Sequence, residues 1–165
     1  MSMTMPSEAT RPRGVTLGCF EVAGRVYGLD VARLREVVRW QPATPLPGAP
    51  PLVDGVVDLR GAVIPIVDLG RVLAGASIDV TPRARIAVAE IGDRIVGLAV
   101  EAAIEVISVG ESELSGPPDV AVGAGSNLTA SVVRRPDAEP IVVLSLERVL
   151  DRIHGSDPPA AEVSA

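Results

Sequence analysis

Glu21-Val22-Ala23-Gly24-Arg25-Val26-Tyr27-Gly28-Leu29-Asp30-Val31 returns 69 residues later as Glu90-Ile91-Gly92-Asp93-Arg94-Ile95-Val96-Gly97-Leu98-Ala99-Val100. Each copy is a pair of short apolar runs around a glycine-containing tip. That is the pattern of a β-hairpin, since glycine admits the positive φ of a tight turn and β-branched residues suit a pleated surface. The same offset carries Glu36-Val37-Val38 onto Glu105-Val106-Ile107. Further on, Pro65-Ile66-Val67 matches Pro140-Ile141-Val142 at an offset of 75, and Arg71-Val72-Leu73 matches Arg148-Val149-Leu150 at 77. Four matches in one order predict two copies of a single β-unit. A barrel closes its own edges, so two small linked barrels are the economical arrangement.

The surrounding sequence agrees. Strands are expected at Leu17–Val22, Arg25–Asp30, Leu34–Trp40, Val53–Leu59, Ala62–Val67, Arg85–Ile91, Arg94–Val100, Ile104–Val109, Leu128–Arg134 and Pro140–Leu144. Five prolines within residues 41–51 exclude a helix or a central strand there and predict a stiff, extended connection. Asp68–Ala74 is expected to be a short helix ended by Gly75. Leu146, Val149, Leu150 and Ile153 recur at helical spacing and predict a terminal helix. Residues 117–125 are expected to be a loop. Pro65 is expected to confine its strand to a sheet edge or a bulge, because proline donates no ladder hydrogen bond.

Composition narrows the function. The chain has 165 residues, 47% apolar and only 2% aromatic, so aliphatic residues must fill the core. Its 16 Gly and 15 Pro favour turns over long helices. The net charge is −6, and every basic residue is a scattered Arg, which argues against nucleic acid as a partner. No apolar run approaches the ~20 residues needed to span a bilayer, so direct membrane insertion is not expected. A single cysteine, Cys19, excludes a disulfide framework and points to a cytoplasmic protein.

No catalytic constellation emerges. His154, the only histidine, sits at the end of the expected last helix, where a cation suits the dipole. Cys19 reads as a small buried hydrophobe. With no Lys, there is no phosphate loop of the usual kind. Asp54 and Asp58 are too few for a metal site. No enzyme activity, cofactor or metal is expected.

Glu36 stands out instead. It shares a strand face with Leu34 and Val38, and a carboxylate among apolar neighbours needs a partner. Arg60 is the candidate, since its planar guanidinium can grip a carboxylate with two donors. Asp58-Leu59-Arg60-Gly61 interrupts two apolar runs and reads as a turn, with Arg60 offered to a partner or holding the strands in place.

Gly55-Val56-Val57-Asp58-Leu59-Arg60-Gly61-Ala62-Val63-Ile64-Pro65-Ile66-Val67-Asp68-Leu69 resembles the signature of the CheW-like coupling domain of bacterial chemosensory systems. Phe20, Tyr27-Gly28-Leu29-Asp30, Glu36-Val37-Val38 and Pro47-Gly48-Ala49-Pro50 resemble it in order and spacing, so the likeness covers about Thr16–Leu150. The resemblance implies an all-β fold of two intertwined five-stranded SH3-like β-barrels with a short C-terminal helix. It implies one domain at 16–153, the first barrel mainly 16–80 and the second mainly 81–150 with room for strand exchange, between tails at 1–15 and 154–165. It also implies a scaffold without catalysis, joining the cytoplasmic tip of methyl-accepting chemoreceptors to the regulatory domain of a CheA-type histidine kinase. Rings with other CheW-like proteins, within cytoplasmic receptor arrays, are part of the same expectation. Carried over by position, Glu36 and Arg60 match the family's sensitive acid and arginine. Leu34, Val38, Gly55, Val56, Asp58 and Leu59 match groove or turn positions facing the receptor. Three departures are visible. Asp68 is kept but is followed by Leu69-Gly70 where Leu-Arg is frequent. Asp58 stands where the family usually has Asn, and Ala102 stands where Gly is common. A divergent paralogue that binds receptors but not the kinase, or serves a non-flagellar pathway, is the alternative these raise.

Overall fold

The computed structural model describes residues 14–116 and 128–155; the loop expected at 117–125 and most of both tails lie outside them. Eleven strands and two helices follow in the order β1 Gly14–Val22, β2 Arg25–Asp30, β3 Leu34–Arg39, β4 Val53–Leu59, β5 Ala62–Asp68, α1 Leu69–Ala74, β6 Arg85–Ile91, β7 Arg94–Val100, β8 Ala102–Gly110, β9 Leu114–Ser115, β10 Thr129–Val133, β11 Ile141–Leu144 and α2 Leu146–Gly155. β1 begins three residues ahead of the expected start, and the two-residue β9 had no signal in the sequence. Every other expected element is present near its expected bounds.

The strands form two sheets, ordered β8-β1-β2-β11-β10-β9 and β3-β6-β7-β5-β4. Replacing each strand by its counterpart in the repeat (β1 by β6, β2 by β7, β3 by β8, β4 by β10, β5 by β11) turns the first five-strand order into the second. The correspondence holds residue by residue. Cys19 pairs with Glu105, and Val88, 69 positions after Cys19, pairs with Glu36. Each barrel takes a hairpin from one repeat and three strands from the other, so the barrels are intertwined. The crossing after β2 is a single 3-10 turn at Val31–Arg33, capped by Asp30, whose Oδ1 accepts from the Ala32 N–H at 2.9 Å.

One apolar cluster lies inside the six-stranded barrel: Leu17, Cys19, Val109, Val133, Ile141 and Val143. A larger one fills the five-stranded barrel and runs out between the sheets through Phe20, Val22 and Leu29 to Leu144, Leu146 and Val149. α2 buries Leu146, Val149 and Ile153, the stripe its spacing predicts. α1 is fixed at both ends. Asp68 caps it by accepting from the Gly70 and Arg71 N–H groups, and Gly75 ends it at φ 75°.

Of the two expectations for Pro65, the sheet edge is corrected, while the β4–β5 ladder does carry an irregularity close by, on β4 between Val53 and Gly55. β5 is an inner strand, between β4 and β7. In the hairpin closed by Leu59 and Ala62, Val56 and Pro65 face each other at a non-hydrogen-bonded position. The parallel ladder to β7 starts only at Ile66. The donor that proline lacks is therefore wanted by neither neighbour. The edge is β4, and the proline-rich connector covers part of it. Thr44 exchanges two backbone hydrogen bonds with Val56, at 2.8 and 2.9 Å.

Candidate functional site

The β4–β5 turn is two residues long, and both carry positive φ: 52° at Arg60 and 90° at Gly61. These are the signs a type I′ turn demands, and its twist matches that of the strands it joins. Gly61 takes this conformation freely. Arg60 does so at a cost of roughly 1–2 kcal/mol. Asp58 supports the turn, its Oδ1 accepting from the Gly61 N–H at 2.7 Å. An asparagine carbonyl oxygen can accept that bond equally well. The departure from the family pattern at Asp58 therefore leaves the turn's geometry intact.

From this turn the Arg60 guanidinium donates to Oε2 of Glu36. β3 and β4 are opposite edges of the five-stranded sheet, so this ion pair spans the seam where the sheet closes on itself. Arg60 keeps 70% of its side chain exposed, against 34% for Glu36, so the pair has an open side. The hydrogen bond from Arg60 holds the Glu36 carboxyl below the usual glutamate range.

Beside the pair runs an apolar strip that joins the two barrels. Leu34 Cδ1 lies 3.2 Å from where a Cβ on Gly18 would sit, so the leucine packs directly over that glycine. Gly18 pairs with Val106 on β8, which puts Val106 on the same face. Val106 is 67% exposed and Ile104, two residues earlier on that strand, 41%. The groove between the barrels is thus lined by β3 on one side and β8 on the other.

The residues singled out from sequence divide into three groups. Leu34, Glu36, Val38, Asp58 and Arg60 lie on β3 or at the turn, with Leu34 and Val38 half-buried. Gly55 and Val56 lie under the connector. Gly55 has φ 149°, and a Cβ there would stand 2.1 Å from the Thr44 carbonyl oxygen, so only glycine allows that approach. Leu59 points into the core. Ile104 and Val106 were missed, because a run of branched residues reads as a buried strand. The signal available for them was the repeat, which sets Val106 at the position of Val37.

Glu101 was also missed. Its Oε1 accepts from Gly24 N–H at 3.4 Å and its Oε2 from Asp79 N–H at 2.9 Å, tying the β1–β2 tip to the segment after α1. Its neighbour Ala102 is buried and pairs with Glu21.

The other candidates have structural partners. Cys19 is buried, and burial pushes its thiol up from its ordinary value. Asp54 pairs with Arg71 and Asp58 holds its own turn, so the two carboxylates serve different contacts. Among the described residues no three metal-ligating side chains cluster, and no helix is long and apolar enough to cross a membrane.

The model of the CheW-like domain family matches residues 16–154. Over 119 residues the chain is 37% identical to the chemotaxis protein CheW of Rhizobium meliloti, covering 72% of this chain and 77% of that protein. It is 30% identical to the chemotaxis protein CheW of Bacillus subtilis over 133 residues, covering 81% and 85%. The solved structure of the scaffolding protein TtCheW from Thermoanaerobacter tengcongensis superposes with a TM-score of 0.75 at 26% identity, covering 88% of this chain and 93% of that one.

Proposed function

The chain belongs to the CheW-like domain family, and on that premise we propose that it is a chemotaxis coupling adaptor, a scaffold that joins chemoreceptors to a CheA-type histidine kinase. The observation that carries the reading is the Glu36–Arg60 pair at the barrel seam, open to solvent beside the apolar strip of Leu34, Gly18 and Val106. Such a surface suits an amphipathic helix: the strip takes its apolar face, and Arg60 and Glu36 set orientation through charged hydrogen bonds. The cytoplasmic tip of a methyl-accepting receptor, a helical hairpin, is the partner assigned to this groove. The regulatory domain of the kinase, which shares the fold, and other CheW-like chains are the partners assigned to the rest of the surface. Each contact is individually weak, and multivalent assembly in the array makes the whole stable. The work is positional, with no bond made or broken, and its place is the cytoplasmic face of receptor arrays.

The test is binding of the purified chain to its receptor tip and, separately, to the kinase regulatory domain. Arg60→Ala and Glu36→Ala are each expected to weaken receptor binding at least about tenfold, as loss of a charged hydrogen bond does, with an unchanged circular-dichroism spectrum. Val106→Glu is expected to do the same from the other wall of the groove. Receptor affinity untouched by all three would refute the groove assignment. Binding to the receptor but not to the kinase would assign the chain to the divergent-paralogue role instead.

A further inference from the structure

Away from that groove, the connector, β5, β7 and α2 line a second, half-open concavity of about 520 Å³. Its walls are apolar: Pro47 and Pro50 from the connector, Val67 from β5, Val96 from β7, and Leu150 and Ile153 from α2. One end is different. There Arg94 on β7 and His154 in the last turn of α2 meet, the guanidinium donating to Nε2 of the imidazole. Asp93 precedes Arg94 in sequence and Asp151 lies one helical turn before His154, yet the described ion pairs include none between Arg94 and a carboxylate. Arg94 thus presents a positive charge at that end of the concavity, with a histidine as its described side-chain partner.

We propose that this trough is a binding site for a small apolar monocarboxylate, an alkyl or aryl acid of about eight to twelve carbons, the tail along the proline and α2 walls and the carboxylate on Arg94. The volume falls in the range of small-ligand pockets, about 300–1,000 Å³, and apolar walls with a few convergent polar groups at one end orient a ligand with a single head. The walls exclude another mode of recognition. Pro47, Pro50 and Pro65 supply no N–H, so an incoming strand finds few donors there to build a ladder. The guanidinium can take both carboxylate oxygens in its fork while the imidazole stays alongside. The connector that forms one wall is the segment whose Thr44 covers the β4 edge and whose Pro51 carbonyl accepts from Arg71 at 2.6 Å. Occupancy therefore bears on the strand that leads to Arg60.

The test uses the full chain with two probes, sodium octanoate and 1-octanol, followed by methyl NMR. Octanoate is expected to give saturable shifts at Val53, Val67, Leu150 and Ile153, with octanol at least about tenfold weaker. Arg94→Ala, a change at an exposed side chain, is expected to bring octanoate down to octanol's affinity and to leave octanol unaffected. Arg60→Ala is expected to change neither, so the outcome is independent of the adaptor assignment. Shifts that fail to saturate or that map elsewhere would overturn the proposal, as would equal affinities for the two probes in the parent chain. Saturable shifts of the same methyls with a designed Leu/Glu amphipathic helical peptide, and none with octanoate, would overturn it in favour of a docked helix.

Discussion

Arg60 and Glu36 make one electrostatic unit, and its sign can be measured. Arg60 lowers the Glu36 carboxyl, chiefly through the hydrogen bond. The contribution of Glu36 to stability is thus present above its unfolded titration range and is lost as pH falls through its depressed folded value. In Arg60→Ala, the Glu36 carboxyl is expected to titrate higher than in the parent, as read by carboxyl-carbon NMR; an unmoved titration would mean the two groups do not couple in solution. Gly55 is the second residue where a single atom matters. Gly55→Ala sets a Cβ against the Thr44 carbonyl at φ 149°, and is expected to destabilise the fold by about 1–3 kcal/mol in urea unfolding. The strand face of Glu36 and the Asp58–Gly61 turn singled out Glu36 and Arg60 in the sequence, and the family resemblance added Gly55. That Gly55 serves the connector, and that Leu59 is core, required the fold.

Asp68 binds an element together. Its buried carboxylate accepts from Gly70, Arg71 and Ile78, so it caps α1 and pins the chain that leaves it. Burial outweighs those three bonds and raises its titration above the ordinary aspartate value. Here the sign is opposite to that of Glu36. The stability Asp68 contributes is full below its unfolded value and is lost as pH rises through the raised folded value. Asp68→Ala is expected to cost about 1–2 kcal/mol, as loss of a cap does. Asp68→Asn keeps an acceptor and carries no charge, so its stability relative to the parent is expected to improve from pH 3.5 to pH 7. A gap between the two that does not change with pH would refute the sign. The sequence placed Asp68 inside the helix with Gly75 as its stop; that Asp68 is the cap was shown by the fold. Pro65 shows the limit of such reading, since a proline is excluded from an inner strand only where a neighbour wants its donor.

The two barrels exist only together. Neither half of the chain owns a complete five-strand order, because β1 and β2 stand between β8 and β11 while β6 and β7 stand between β3 and β5. Residues 14–84 alone are expected to show no cooperative unfolding, and neither are residues 85–155. Mixing the two is expected to restore the circular-dichroism signal and a single transition. A fragment that unfolds cooperatively by itself would show that one barrel is independent. The same interleaving makes the docking groove. Leu34 of the first repeat packs over Gly18, whose partner on β8 is Val106, only because β3 has left the sheet of its own hairpin for the other barrel.

The linear sequence fixed the local choices: strands from branched residues, turns from Gly24 and Gly61, the helix stripe of α2, the repeat and the family motif. Each is a matter of neighbours within a few residues or of likeness between two stretches, and both survive in one dimension. Pairing partners are not of that kind. Which sheet β3 joins depends on which exchange buries the most apolar surface and leaves the fewest open edges, a comparison made over the whole chain. The seam that puts Arg60 on Glu36, the exposed face of Val106 and the trough under the connector all follow from that exchange.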